Sequence, residues 1–336
     1  MTDLQKLVAR LEKAARRLRE MAADPQLAFD ATRSLPTQLG VLWSSSPLAR
    51  AKSFRATLID QWTQALKAVL DTLGWEGQII VSRKGVQVEL DGVRLHADQE
   101  YRFFRKSGRS AGTALFERLR QIRPQPETVI DIGANIGEIA LLFAHKLPEA
   151  RIVAVEASSE NVIEFERNRS LQPFATDHLQ LIHAAVTDRE GSIDITVGAG
   201  DMNTVLVEGG LGRLRDRGTT GVEQVRAITL DSVIEAAGGG PIDFLKIDIE
   251  GAEPLLADAL VRHADAIMTI FVEFSVFNTL EAYVDLNDRL LDAGYSVFDS
   301  KMRPIAEPSA WLAESLAASP GINLWYVHRD AGTDAQ

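Results

Sequence analysis

One stretch of the chain joins a buried strand to a helix through a turn rich in glycine. An apolar run that begins at Val129 ends in Asp131, and the pattern D-x-G-x-N-x-G then leads into an apolar helix. Gly133 and Gly137 let the backbone approach a ligand closely, and Asn135 stands where a dinucleotide site has its second glycine. Asp131 would repel a pyrophosphate but suits a cationic group. The pattern therefore favours S-adenosylmethionine, which has a positively charged sulfur and a zwitterionic amino acid end.

A second carboxylate ends the next buried strand. The apolar run Ile152–Val155 is followed by Glu156, which is placed to accept hydrogen bonds from the hydroxyls of a ribose. Ala184 and Ala185 follow the third strand and are expected to flank the adenine, with Asn161 as an additional candidate. The candidate cofactor-binding residues are therefore Asp131, Gly133, Asn135, Gly137, Glu156, Ala157, Ala184 and Ala185.

Downstream, another predicted apolar strand ends in a segment that is rich in charged residues. Strand alternation places Lys246, Asp248 and Glu250 on one face if the chain stays extended. Charges clustered in this way shift pKa values, as a general base or a cation site requires. Alternatively, Glu250 and Glu253 are acids at the N-terminus of the helix that follows Pro254. That explanation leaves Lys246 and Asp248 unaccounted for.

The chain resembles the FkbM family of S-adenosylmethionine-dependent methyltransferases over roughly Thr128 to Val327. The matching segments are Val129–Gly137, Val153–Glu156, Ala184–Gly191, Lys246–Glu253 and Phe271–Phe274. The string K-I-D-I-E-G-A-E is the most diagnostic. The resemblance implies a Rossmann-like methyltransferase that transfers a methyl group to a hydroxyl oxygen of a sugar, glycan or polyketide-type acceptor. Ala157 departs from the family, which commonly has proline after the ribose-binding glutamate.

The expected reaction is an in-line displacement in which the acceptor oxygen attacks the methyl carbon and the sulfonium leaves as a neutral thioether. The donor is already activated, so the protein has to orient the hydroxyl and remove its proton. The candidate catalytic residues are Asp248, Glu250, Lys246 and Glu273, with Asp248 or Glu250 contacting the hydroxyl. Lys246 would be the base if its pKa were lowered, although nearby carboxylates raise it. The three carboxylates could instead hold Mg²⁺ or Ca²⁺.

Composition indicates a globular enzyme and a cytoplasmic location. The 336 residues are 46% hydrophobic and 25% charged, with no cysteine and a net charge of −11. The negative charge disfavours nucleic-acid binding. No apolar stretch is long enough to span a membrane, and no signal-peptide core is present. The expected partner is a small-molecule or glycan acceptor.

The chain divides into an N-terminal helical region (1–75), a small β-meander with a connecting helix (76–122), a methyltransferase domain (123–330) and a tail (331–336). A short heptad pattern from Leu4 to Met21 predicts a helix that either docks on its own domain or mediates homo-oligomerisation or substrate binding. A basic cluster at Arg102, Arg105, Lys106 and Arg109 would suit an anionic acceptor. In the meander, Gln78–Arg83, Gly85–Leu90 and Val93–His96 are predicted strands, with Asp91-Gly92 as a hairpin turn.

From Thr128 onward strands and helices alternate, which predicts an α/β fold with a seven-stranded, mostly parallel sheet. The last two strands should form an antiparallel pair. An inserted hairpin is predicted at Ser192–Val197 and Thr204–Val207, with glycine-rich loops at 198–203 and 209–221. The predicted core strands are Val129–Ile132, Ile152–Glu156, Leu179–His183, Phe244–Asp248, Ile267–Phe274, Tyr295–Asp299 and Asn323–Val327. The predicted helices are Leu141–Lys146, Glu160–Leu171, Leu230–Ala237, Pro254–Ala259 and Thr279–Ala293.

Two other classes of protein remain open on these residues. One is a nicotinamide-dependent oxidoreductase on a similar sheet, which binding of S-adenosylhomocysteine rather than NAD would exclude. The other is a non-catalytic scaffold of the same fold that uses the N-terminal helices for assembly. The charged motifs argue against the scaffold.

Overall fold

A computed structural model describes residues 76–82, 85–96, 110–198, 204–205, 219–275, 277–319 and 321–331. The chain divides into two compact units, Met1–Ser110 and Ala111–Gln336. The N-terminal helical region, the basic cluster before Ser110 and the tail after Ala331 lie outside the described residues, so their predicted roles stay predictions.

In the first unit, the predicted meander is present as a three-stranded antiparallel sheet. Its strands are β1 (Gln78–Ser82), β2 (Gly85–Leu90) and β3 (Val93–His96), in the order β1-β2-β3. Asp91 and Gly92 both have positive φ, at 51° and 89°, as a type I′ hairpin turn requires.

The second unit is built on the predicted seven-stranded sheet, whose order is β13-β14-β12-β11-β4-β5-β6. Six strands run in the same direction, and β14 is antiparallel to its neighbours β12 and β13. The antiparallel pair predicted at the end of the chain is therefore confirmed. The strands are β4 (Thr128–Ile132), β5 (Arg151–Glu156), β6 (Leu179–His183), β11 (Phe244–Ile247), β12 (Thr269–Ser275), β13 (Tyr295–Asp299) and β14 (Gly321–His328).

Helices follow most of these strands and start at recognisable caps. The side chains of Ser158, Thr229 and Thr279 each accept a hydrogen bond from a backbone N–H in the first turn. The predicted helix at Pro254 is a 3₁₀ turn (Glu253–Leu256) followed by an α-helix. The α-helices are α1 (Ala111–Ile122), α2 (Glu138–Lys146), α3 (Ser159–Arg169), α4 (Leu230–Ala236), α5 (Ala257–Arg262), α6 (Leu280–Asp292) and α7 (Pro308–Ala318). A second 3₁₀ turn spans Ala264–Ala266.

The insertion between β6 and β11 differs from the predicted hairpin. It is a four-stranded sheet of order β7-β10-β8-β9, with β7 (Ala185–Thr187), β8 (Gly191–Gly198), β9 (Thr204–Val205) and β10 (Thr219–Thr229). The predicted pairing of β8 with β9 is present. β8 pairs over a longer stretch with β10, whose first residues were wrongly predicted to belong to a glycine-rich loop.

The core lies on both faces of the parallel strands. Every residue of β11 is buried, as expected for a central strand covered on both sides. Within the described residues, no helix is both long and apolar enough to cross a membrane.

Candidate active site

The glycine turn after β4 is held against the end of β5. The N–H groups of Gly133 and Ala134 both donate to the carbonyl of Val155, at 2.9 and 3.0 Å. Gly133, Asn135 and Gly137 all have positive φ, at 77°, 52° and 88°. Gly137 is the N-cap of α2 in the left-handed region. The turn therefore runs from the end of β4 past the end of β5 into the N-terminus of α2, with Gly133 and Asn135 partly exposed.

Two glycines of this turn are required for steric reasons. A Cβ on Gly133 would lie 1.8 Å from the backbone oxygen of Asp248, so the turn after β4 touches the segment after β11. A Cβ on Gly137 would lie 2.9 Å from the ring of Phe165 in α3. Both positions would also be strained with any other residue, because their φ is positive.

The carboxylate of Glu156 bridges three segments at the end of β5. Its Oε1 accepts hydrogen bonds from the N–H of Ser158 (2.9 Å) and the side chain of Asn161 (3.1 Å), and its Oε2 accepts one from the N–H of Asn135 (2.8 Å). The residue is 6% exposed. Burial raises the pKa of Glu156, and the hydrogen bonds from Ser158, Asn161 and Asn135 oppose that rise. Since a carboxylate oxygen accepts about two hydrogen bonds, Oε2 retains one acceptor position.

The three candidate alanines lie close to Glu156. The N–H of Ala184 donates to the carbonyl of Glu156 at 2.9 Å. Ala185 belongs to a small buried cluster with Ala252, and Ala157 packs against that cluster. Ala184 belongs to the main hydrophobic core instead, and the contact of these alanines with an adenine ring stays a prediction.

A buried lysine connects the glycine turn to the acidic segment. The Nζ of Lys246 lies 3.1 Å from Asp131 Oδ1 and 3.3 Å from Asp248 Oδ2, and it donates to the carbonyl of Gly133 at 3.2 Å. Asp131 is 1% exposed and Lys246 3%, whereas the side chain of Asp248 is 29% exposed. Neither carboxylate oxygen of Asp131 has an aligned hydrogen bond.

The charges of this group fix the protonation of the lysine. Burial by itself lowers the pKa of Lys246, but the carboxylates of Asp131 and Asp248 outweigh it and hold that pKa above its usual value. Lys246 is therefore an ammonium group and a poor general base. Burial raises the pKa of Asp131, and the Lys246 ammonium opposes this rise.

The sheet register places the candidate acids on one face. Lys246 is aligned with Asp131 on β4 and with Phe271 on β12, and Asp131 is aligned with Ala154 on β5. Because side chains alternate along a strand, Glu156 and Glu273, each two residues further along, project from the same face. Glu273 Oε1 lies close to Gly321, the first residue of β14, because a Cβ on Gly321 would be 2.9 Å from that oxygen.

Glu250 does not continue the strand alternation that the sequence predicts. β11 ends at Ile247, and Glu250 and Gly251 have φ values of 53° and 100°. The chain therefore turns at Glu250, whereas Asp248, before the turn, lies 3.3 Å from Lys246 Nζ. The convergence of Glu250 with Asp248 and Glu273 stays a prediction.

The sequence interpretation missed the role of Glu253. This residue is fully buried, and its carboxylate accepts hydrogen bonds from Ile249 and Gly251. Burial raises its pKa to about 7. The only available signal was its place three residues after Glu250, which suggested a helix-terminal acid instead.

The sequence left open a divalent-cation site formed by carboxylates. Among the described residues, no group of three or more His, Cys, Asp or Glu side chains could hold a metal ion.

The seven-stranded sheet, with charged segments at the carboxyl ends of its strands, has a Rossmann-like arrangement. The family model described as "Methyltransferase FkbM domain" matches residues 131–297. The chain belongs to the FkbM methyltransferase family. This assignment favours methyl transfer over the nicotinamide alternative.

Solved structures similar to this chain include other methyltransferases. An FkbM methyltransferase from Methylobacillus flagellatus KT is 14% identical, with a TM-score of 0.37, over 61% of this chain and 44% of its own. A precorrin-6y C5,15-methyltransferase from Geobacter metallireducens GS-15 is 15% identical, with a TM-score of 0.31, over 55% and 71%. A Pyrococcus abyssi tRNA (uracil-54, C5)-methyltransferase in complex with S-adenosyl-L-homocysteine is 13% identical, with a TM-score of 0.35, over 75% and 44%.

This chain thus spans less than half the length of the Methylobacillus protein. A comparison with curated proteins found no match.

Proposed function

We propose that this protein transfers a methyl group from S-adenosylmethionine to a hydroxyl oxygen of a sugar, glycan or polyketide-type acceptor. The observation that carries the proposal is the buried Asp131–Lys246–Asp248 group. It joins the glycine turn, where the donor would bind, to the partly exposed Asp248, where an acceptor would bind.

The residues of the glycine turn fit the proposed donor. Asp131 is a buried carboxylate without an aligned hydrogen bond, which suits an ammonium group. Glu156 Oε2 has room for one hydroxyl hydrogen bond beside that from Asn135. Ala184 and Ala185 would contact the adenine. When bound, S-adenosylmethionine supplies an activated methyl group on a positively charged sulfur.

Asp248 is the acceptor-side residue that this arrangement supports best. Lys246 holds one of its carboxylate oxygens at 3.3 Å, so its orientation is restricted while part of the side chain remains accessible. In this role Asp248 accepts the proton of the acceptor hydroxyl late in the transfer. Lys246 stays protonated and orients Asp248. Glu250 and Glu273 are the remaining candidates for contacts with the acceptor.

Labelled-methyl transfer to cell extracts, followed by mass spectrometry of the product, tests the proposal. Asp248→Asn should lower turnover about 100-fold and leave the affinity for S-adenosylhomocysteine nearly unchanged. Glu156→Ala should instead weaken that affinity. Asp292→Asn, an exposed change at the end of α6, is the matched control. Variants of Asp248 and Glu156 that behave like the wild type would overturn the site assignment.

Thermal-shift measurements with S-adenosylhomocysteine and with NAD separate this proposal from nicotinamide chemistry. Stabilisation by S-adenosylhomocysteine alone is the expected result, and stabilisation by NAD would contradict it. The cytoplasmic location and the glycan acceptor are part of the same proposal.

A further inference from the structure

A buried carboxylate lies beneath the turn that carries Glu250. A single oxygen of Glu253, Oε1, accepts hydrogen bonds from the N–H groups of Ile249 (3.1 Å) and Gly251 (3.2 Å). These two groups flank Glu250 on either side. Because both bonds go to one atom, the position of that atom sets the path of the backbone from Ile249 to Gly251.

The other oxygen of Glu253 connects the turn to the neighbouring strand and helix. The hydroxyl of Tyr283, on α6, donates to Glu253 Oε2 at 3.4 Å and accepts from the N–H of Ser275, at the end of β12, at 3.3 Å. The Tyr283 ring stacks on Phe274 with ring centroids 4.5 Å apart. Asn278 supplies a further connection, since its side-chain amide donates to the carbonyl of Gly251 at 2.7 Å.

The turn needs such support because its backbone is strained. Glu250 is a non-glycine residue with φ of 53°, a conformation that persists only where surrounding structure holds it. Gly251 follows with φ of 100°, and a Cβ there would lie 2.8 Å from Phe277 Cβ. Backbone N–H groups in a tight turn can point to one side and form a concave site for an anion. The Glu253 carboxylate occupies that position.

We propose that Glu253 is a positioning residue for methyl transfer, which fixes the Ile249–Gly251 turn and thereby the approach of Asp248 and Glu250 to the acceptor. This inference rests on the proposed function, because it assumes that the acidic segment faces the acceptor. Glu253 is fully buried and so does not contact the acceptor itself. The ionisable groups that face it are Asp248, after β11, and Tyr283, on α6.

Three substitutions of Glu253 separate positioning from charge. Glu253→Gln retains a carbonyl oxygen that can accept both N–H bonds, so it should keep kcat within about threefold of the wild type. Glu253→Asp retains the charge but is too short to reach both groups, so it should lower kcat about tenfold. Glu253→Ala should lower kcat by at least as much as Glu253→Asp. The affinity for S-adenosylhomocysteine should change little in all three.

Amide hydrogen exchange gives a readout that does not depend on activity. The N–H groups of Ile249 and Gly251 should exchange about tenfold faster in Glu253→Asp than in the wild type, and at a nearly unchanged rate in Glu253→Gln. Asp243→Ala is the matched control, because Asp243 is also a buried carboxylate that binds backbone N–H groups, but at the other edge of the sheet. It should destabilise the protein without lowering the kcat of the folded fraction.

The outcomes distinguish this inference from the proposed function. An active wild type together with an unimpaired Glu253→Asp variant would overturn the inference alone, as would an inactive Glu253→Gln. Unchanged exchange at Ile249 and Gly251 in Glu253→Asp would also overturn it. A wild type that methylates no component of the extract would overturn the proposed function, while the exchange data would still decide whether Glu253 holds the turn.

Discussion

Two buried aspartates at opposite edges of the same sheet differ in how well they are paired. Asp243 precedes β11 at the amino edge, where it accepts hydrogen bonds from the N–H groups of Glu127 (2.6 Å) and Thr128 (3.0 Å) and forms an ion pair with Arg123 at 2.7 Å. Asp131, on β4, has the Lys246 ammonium beside it but no aligned hydrogen bond. Both are almost fully buried, at 4% and 1% exposure.

The difference fits the proposal that Asp131 binds the donor, whereas Asp243 supports the fold. Buried polar groups in native proteins are normally hydrogen-bonded, and exceptions call for an explanation. The carboxylate of Asp243 is fully paired with the backbone N–H groups of Glu127 and Thr128 and with the Arg123 side chain. Asp131 has no hydrogen bond of regular geometry. Burial raises its pKa, and the Lys246 ammonium and the backbone of Ala140 oppose that rise. A cationic ligand beside Asp131 would further stabilise its charged form.

The largest effect is expected from removing the cation of the carboxyl edge. Lys246→Met leaves Asp131 and Asp248 without their common partner, and breaking a buried ion pair costs about 3–5 kcal/mol of unfolding free energy. Urea denaturation would measure this loss. Adding Asp131→Asn to Lys246→Met should recover part of it, because one unpaired charge is removed. A double variant less stable than Lys246→Met would show that Asp131 is not the charge that Lys246 compensates.

A pH-dependent difference is expected at Glu253. Burial raises its pKa from 4.5 to about 7, so the stability linked to its neutral form is fully present below pH 4.5 and is lost as the pH rises to about 7. Glu253→Gln stays neutral throughout. Its unfolding free energy relative to the wild type should therefore rise by about 3 kcal/mol between pH 4 and pH 8.

Urea denaturation of Glu253→Gln and wild type at several pH values measures this difference, and contributions from groups common to both proteins, including Asp248 and Tyr283, cancel to first order. A difference independent of pH would mean that Glu253 titrates near its ordinary value.

A smaller loss is expected at the amino edge. Asp243→Asn can keep the N–H bonds of Glu127 and Thr128, but it turns an amide towards Arg123 and removes the charge. We expect a loss of about 2 kcal/mol in unfolding free energy, typical of a hydrogen bond to a charged group. Calorimetric titration with S-adenosylhomocysteine should show unchanged affinity. A weakened affinity would contradict the separation of the two edges.

Local sequence patterns were sufficient to predict the sheet and the glycine turn. Apolar runs such as Ile152–Val155 are followed directly by a charged residue. No other residue fits at Gly133 and Gly137, because a backbone oxygen and an aromatic ring occupy the space of a Cβ. Strand alternation predicted that Lys246 and Asp248 share one face, and their side chains form an ion pair. These features depend on residues close together in the chain or on a regular period.

The features that could not be predicted depend on distant contacts. Glu250 leaves the strand because Glu253, Asn278 and Tyr283 hold a left-handed turn, and the last two lie about 30 residues further along the chain. β10 was missed because its register is set by pairing with β8, across the intervening insertion. The helix α7 did carry a local signal, Pro308 at its first turn, which the interpretation did not use.

The smallest change in stability is expected at Asp131. Asp131→Asn loses the ion pair with Lys246 but also removes a charge that burial disfavours, and Lys246 keeps Asp248 as a partner. These terms oppose each other, so the unfolding free energy should change by about 1 kcal/mol or less. The affinity for S-adenosylhomocysteine should nevertheless fall about tenfold, because its ammonium loses a charged acceptor. The affinity for 5′-methylthioadenosine, which lacks the amino acid end, should stay the same. Calorimetric titration with both compounds measures the contrast, and an equal loss for both would mean that Asp131 acts through the fold rather than through the ligand.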